Sequence, residues 1–201
     1  MTYTTKKITT MAMMIAISFV MVALIRVPIF PDAPFLTYEP KDVIIAIAGF
    51  LFGPVEAIII SVAVALIEMI TISATGIWGC LMNILSTLAF ALPGAILYRM
   101  SRSRKRAYIG VGIGVICMMA TMLLWNYLVT PIYMGYPREA VASMLIPVFL
   151  PFNLIKAGIN AVLTILLYKP LIRVLRKANA VPERDFAEDQ KKEVQEDAEK
   201  Q

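Results

Sequence analysis

Apolar runs separated by short polar clusters extend along nearly the whole chain, and most are long enough to be read as helices across a bilayer. The first extends from about Ile8 to Ile25, behind Lys6 and Lys7. Pro28, Pro31, Pro34 and Pro40 then fall among Asp32, Tyr38, Glu39, Lys41 and Asp42, a composition no regular spanning helix tolerates. Residues 26–42 therefore read as a long first external loop, and Phe30, Phe35, Leu36 and Tyr38 give it side chains to bury, which favours an ordered lid over a loose connector. Val43 to Phe52 and Val55 to about Ile72 predict a second and a third helix joined by a tight inner turn at Gly53-Pro54. Gly76 and Gly79 bracket Trp78 at the next outer turn, and a fourth helix runs from about Cys80 to Tyr98. A fifth covers roughly Tyr108 to Tyr133. After an outer turn at Gly135 to Glu139, a sixth proceeds from about Ala142, with breaks expected near Pro147 and Pro151, to Lys169, Arg173, Arg176 and Lys177.

Positive charge orients the pattern. Lys6 and Lys7 precede the first run, Arg99, Arg102, Arg104, Lys105 and Arg106 crowd one short connection, and a third basic cluster ends the sixth helix. Cationic connections stay in the cytoplasm, so six spans with both termini inside satisfy every cluster. The fold class is thus all-α, an integral membrane protein with six transmembrane helices forming one domain over residues 1–178. Residues 179–201 are dense in Asp, Glu, Lys and Gln and read as a solvated, disordered cytoplasmic tail.

Composition agrees: of 201 residues 59% are hydrophobic and 16% charged, with a mean hydropathy of +0.75, far from an average soluble domain. The net charge of +5 is accounted for by topology, so nucleic acid is not an expected partner. The chain has no histidine, which removes zinc sites of the H-E-x-x-H type and Ser/His or Cys/His nucleophile pairs. Cys80 and Cys117 lie in separate apolar runs without C-x-x-C spacing and read as small buried hydrophobes rather than metal ligands. Glu56 and Glu68 are about three helical turns apart and form no catalytic carboxylate pair. No Gly-x-x-x-x-Gly-Lys-Ser/Thr pattern is present, so this chain supplies no ATP hydrolysis. The reading is a binding protein, not an enzyme, with no metal and no resident cofactor.

Candidate chemistry concentrates in the last span. Asn153, Lys156 and Asn160 interrupt an apolar stretch and, at about 100° per residue, fall within an arc of roughly 60° on one helix face. An ammonium near the centre of a bilayer costs about 2.5–3.5 kcal/mol on insertion scales, so this lysine should face a cavity or a partner. Asn126 sits between Trp125 and Tyr127 near the outer end of the fifth span, and Asn83 lies in the first part of the fourth. Glu56, at the start of the third helix, suits a helix N-terminus; Glu68 is open between a buried ion pair and an interfacial position. Ala12 and Ala16 are one turn apart on the first helix and permit close approach of another helix.

Ala12-x-x-x-Ala16, Pro34-Phe35-Leu36-Thr37-Tyr38-Glu39-Pro40-Lys41-Asp42-Val43, Phe50-Leu51-Phe52-Gly53-Pro54, Trp125-Asn126-Tyr127 and Asn153-Leu154-Ile155-Lys156, in this order, resemble the riboflavin-specific S component of energy-coupling factor (ECF) vitamin transporters. The resemblance covers about residues 8–175. It implies a six-helix subunit of a prokaryotic plasma membrane that captures riboflavin from outside and works with a transmembrane coupling protein and two ATPases. It further implies ligand contacts at Asn126, Asn153 and Lys156, with the loop around Leu36, Tyr38 and Glu39 as lid; helix face and depth add Asn83 and Asn160. Ala12 and Ala16 become the expected interface with the coupling protein. The loop carries Glu39 where family loops have Asp. An S component for another ring compound, such as thiamine, would share the architecture.

Overall fold

The computed structural model describes residues 5–30, 36–73, 75–101 and 103–177; residues 31–35 of the first loop and the charged tail expected at 179–201 lie outside the described residues. The order is α1 (Thr5–Leu24), a two-strand ribbon of β1 (Val27–Pro28) and β2 (Thr37–Tyr38), α2 (Lys41–Phe52), α3 (Pro54–Thr71), α4 (Gly76–Ser101), α5 (Arg104–Leu128), α6 (Thr130–Met134), α7 (Arg138–Met144), a π-helical turn at Leu145–Phe149, and α8 (Leu150–Lys177). The strands pair antiparallel, Val27 opposite Tyr38 and Pro28 opposite Thr37.

Among the described residues five segments are long and apolar enough to cross a membrane: α1, α3, α4, α5 and Arg138–Leu175. This differs from six full-length spans. With 12 residues, α2 is about 18 Å long, against a hydrocarbon core of about 30 Å. Its place in the molecule explains the shortness. Every residue from Lys41 to Leu51 is buried, as expected of a helix apolar on all sides with no lipid-facing stripe. It packs against α1, α3, α4 and α8, which turn Ile17, Ile59, Leu66, Ile96 and Leu166 outward.

The element boundaries follow from local chemistry. Gly53 has φ 114°, a region that only glycine enters freely, and Pro54 opens α3 where no N–H is needed, so α2 and α3 reverse within one residue. The fourth helix starts earlier than the glycines suggested, placing Trp78 in its first turn. The fifth stops at Leu128, and α6 restarts with Pro131 in its opening turn. Of the two breaks expected in the last span only the one at Pro147 occurs, within the wide turn where the Leu150 N–H reaches back to the Leu145 carbonyl. Pro151 is the second residue of α8, directly after that wide turn, and the helix continues through it. The tightest packing joins α4 to α5: a methyl at Gly110 would stand 2.6 Å from the Gly94 Cα, so glycine there is a condition of the approach.

The end of the bundle away from the first loop is fastened by two groups. Lys7 Nζ lies 2.6 Å from Glu56 Oε1, tying α1 to α3; Glu56 is at its helix start as expected, but buried and ion-paired as well. Phe50, Tyr98 and Tyr168 stack edge-on, and the two tyrosine hydroxyls meet at 2.6 Å, joining α2, α4 and α8.

Candidate functional site

At the opposite end the helices splay around a cavity of about 380 Å³, within the range that small-molecule sites occupy. Its wall draws on Arg26 beyond α1, Leu36, Thr37 and Glu39 of the loop, Glu68 and Ile72 of α3, Met82, Asn83 and Ser86 of α4, Met122 and Asn126 of α5, Tyr133 and Met134 of α6, and Phe152, Asn153 and Lys156 of α8. Apolar walls with a few polar atoms would hold a flat, partly polar molecule.

Each polar atom has a local reason for its orientation. Asn153 donates through Nδ2 to the Phe149 carbonyl one turn back, at 2.8 Å, while its Oδ1 is buried without a partner. Asn126 likewise donates to the Met122 carbonyl at 2.7 Å, and its Oδ1 accepts from Thr130 Oγ1 at 3.0 Å. Both carboxamides thus spend a donor on their own helix. Ser86 Oγ and Glu68 Oε1 are also buried without a hydrogen-bond partner. Orphaned buried polar atoms cost about 1–3 kcal/mol each, and several on one cavity wall are what a hydrogen-bonding ligand relieves.

Charged side chains of the cavity wall continue into the buried interior through Lys41. Arg26 Nε contacts Glu39 Oε1 at 3.1 Å, Lys41 Nζ contacts Glu39 Oε2 at 3.0 Å and closes on Glu68 Oε2, and Asn83 Nδ2 donates to that same Glu68 oxygen at 2.9 Å. A second group centres on Asp42. It accepts from Thr87 Oγ1 at 2.6 Å and from Asn160 Nδ2 at 3.0 Å, and Lys156 Nζ stands 3.9 Å away. Tyr38 donates its hydroxyl to Asn160 Oδ1 at 3.1 Å. The buried Lys41 and Lys156, with the exposed Arg26 at the edge of the group, face the buried carboxylates of Glu39, Asp42 and Glu68.

Of the residues singled out in sequence, Leu36, Glu39, Asn83, Asn126, Asn153 and Lys156 share the cavity wall. Tyr38 and Asn160 do not reach it. The polar stripe of α8 is real, but divided: its first two members face the cavity and Asn160 faces Asp42. Glu68 is resolved as a buried ion-pair partner. Sequence reasoning missed Asp42, Lys41, Thr87 and Ser86. Residues 26–42 read as a loop, whereas Lys41 and Asp42 are the first two residues of α2, and two adjacent charges directly before an unbroken apolar run were the signal that they are buried with it. Ala12 and Ala16 both lie exposed on the outer face of α1, opposite its buried Met11, Met14 and Ser18. Among the described residues no group of His, Cys, Asp and Glu is arranged to hold a metal.

Comparison with known proteins gives three findings. Residues 6–168 match the family described as ECF transporter, substrate-specific component. The riboflavin transporter RibU of Staphylococcus aureus (strain TCH60) is 31% identical over 178 residues, covering 86% of this chain and 93% of that protein. A solved structure described as the S component of a bacterial ECF transporter superposes with a TM-score of 0.72 at 31% identity, over 85% of this chain and 97% of the other.

Proposed function

The chain belongs to the substrate-specific components of ECF transporters, and from that premise we propose that it is the riboflavin-binding subunit, taking the vitamin from outside for uptake across the cell membrane. The observation that carries the ligand assignment is the cavity wall: carboxamide and carboxylate acceptors stand beside one ammonium, with Leu36, Met82, Met122 and Phe152 supplying apolar cover. Isoalloxazine is a flat aromatic body with an imide donor and carbonyl acceptors along one edge, and its ribityl chain offers hydroxyls; amide oxygens and a lysine match those edges while apolar side chains cover the rings. Leu36, Glu39, Asn83, Asn126, Asn153 and Lys156 are the assigned contacts.

In the bilayer, α2 makes the sixth crossing together with the buried segment 36–40 ahead of it, since irregular backbone at membrane depth is tolerated where protein surrounds it. Both termini are then cytoplasmic, with Lys6, Lys7, Lys105 and Arg106 on the inner side. Transport requires a coupling protein and two ATPases, which this chain meets through α1. Protein purified without added vitamin should be yellow, with flavin absorbance, and after the ligand is stripped should quench riboflavin fluorescence on titration. Colourless protein that leaves the fluorescence unchanged would reject the assignment.

A further inference from the structure

Asp42 is wholly buried in the first turn of α2 and takes no part in the cavity wall, yet side chains of α4 and α8 contact it and β2 braces one of them. Thr87 of α4 occupies Oδ1, and Asn160 of α8 donates to Oδ2. Tyr38 of β2 fixes the Asn160 amide by donating to its carbonyl oxygen, so that the amide's nitrogen is the end presented to Asp42. Both carboxylate oxygens are therefore held in place by neutral donors. Lys156 Nζ lies 3.9 Å from Oδ2: near enough for charge compensation, too far for a direct hydrogen bond. Among the described residues the ammonium makes no hydrogen bond, and it lies on the cavity wall. Its donors remain for a ligand.

We propose that Asp42 is the positioning residue for Lys156, and that Tyr38, Asn160 and Thr87 act on the ligand only through it. This rests on the riboflavin reading above. The carboxylate compensates a buried cation without consuming its hydrogen bonds; a contact at hydrogen-bond distance would draw the ammonium back from the cavity, and loss of the carboxylate would take away the one charge partner within 4.0 Å of it among the described residues. The hydroxyl and amide donors supply the rigidity that holds this spacing. Tyr38 and Asn160, which helix face and loop position suggested as ligand contacts, thus become members of the support under Lys156.

A double-mutant cycle tests this, with riboflavin fluorescence quenching as the readout in the full-length purified protein. Asp42→Asn should weaken binding roughly tenfold or more in the native background and by less than about threefold in a Lys156→Met background, because the residue it positions is already gone. Tyr38→Phe removes one hydroxyl without changing volume or unpairing a charge, and should show the same pattern at about three- to tenfold. It carries the test should Asp42→Asn fail to fold. Were Tyr38 a direct ligand contact, or Asp42 a packing residue, each substitution would cost the same factor in both backgrounds; that equality would overturn the proposal while leaving riboflavin as the ligand. Native protein that binds no riboflavin would remove the ligand assignment instead. The same cycle read by ligand-free thermal melting would then decide: a loss on Asp42→Asn that Lys156→Met cancels supports the pairing, and equal losses overturn it.

Discussion

Glu39 shows how one side chain can be both wall and brace. Its Oε1 faces Arg26 and its Oε2 faces Lys41, so the residue closing the loop over the cavity also neutralises the first residue of the central helix. Because Lys41 keeps Glu68 as a second partner, Glu39→Gln should cost about 1–3 kcal/mol of stability rather than the larger amount expected for a fully orphaned buried charge. The difference in melting temperature between native protein and Glu39→Gln measures this. Identical melting temperatures would show that the contacts to Arg26 and Lys41 contribute nothing to stability.

Elements were legible in sequence to the extent that each had a face turned to lipid. The amphipathic stripe of α8 announced Asn153 and Lys156, and the positive clusters announced the helix ends. The 3.6-residue period carries no such information for α2, whose surroundings are protein on every side, and it says nothing of which residue lies opposite which. The link from Tyr38 to Asn160 spans 122 positions and exists only once the loop has folded onto α8. That loop is where element-scale dynamics enters. Its outer strap is Arg26, which bonds Glu39 and also donates to the Ile72 carbonyl at the end of α3, at 3.0 Å. Because Arg26 is partly exposed, its pairing is screened and worth about 1 kcal/mol or less. Arg26→Ala should speed riboflavin release a few-fold while changing capture little, since contacts that close over a bound ligand act on residence time. Stopped-flow displacement by excess unlabelled ligand measures this directly. Identical release rates would make the strap a bystander.

At the scale of the whole molecule one half is built around the cavity, and α1 turns an exposed face away from the bundle. Its buried residues pack on α2 and α3, whereas Ala12 and Ala16 point away from them. An alternative in which the two alanines pack against other helices of the same chain has no neighbour to offer them on that face among the described residues. Lipid supplies no hydrophobic drive for helices to associate, so close backbone approach over small side chains furnishes much of the attraction, and large side chains at the same positions abolish it. Replacing both alanines with Leu or Trp should therefore leave melting temperature and riboflavin affinity close to native, because neither residue lines the cavity or the core. The same variant should fail to co-purify with the coupling protein and should lose ATP-dependent uptake. Retention of co-purification and of native transport would remove α1 from the interface. A fall in binding and melting temperature together would place the alanines in the fold of this subunit rather than in its assembly.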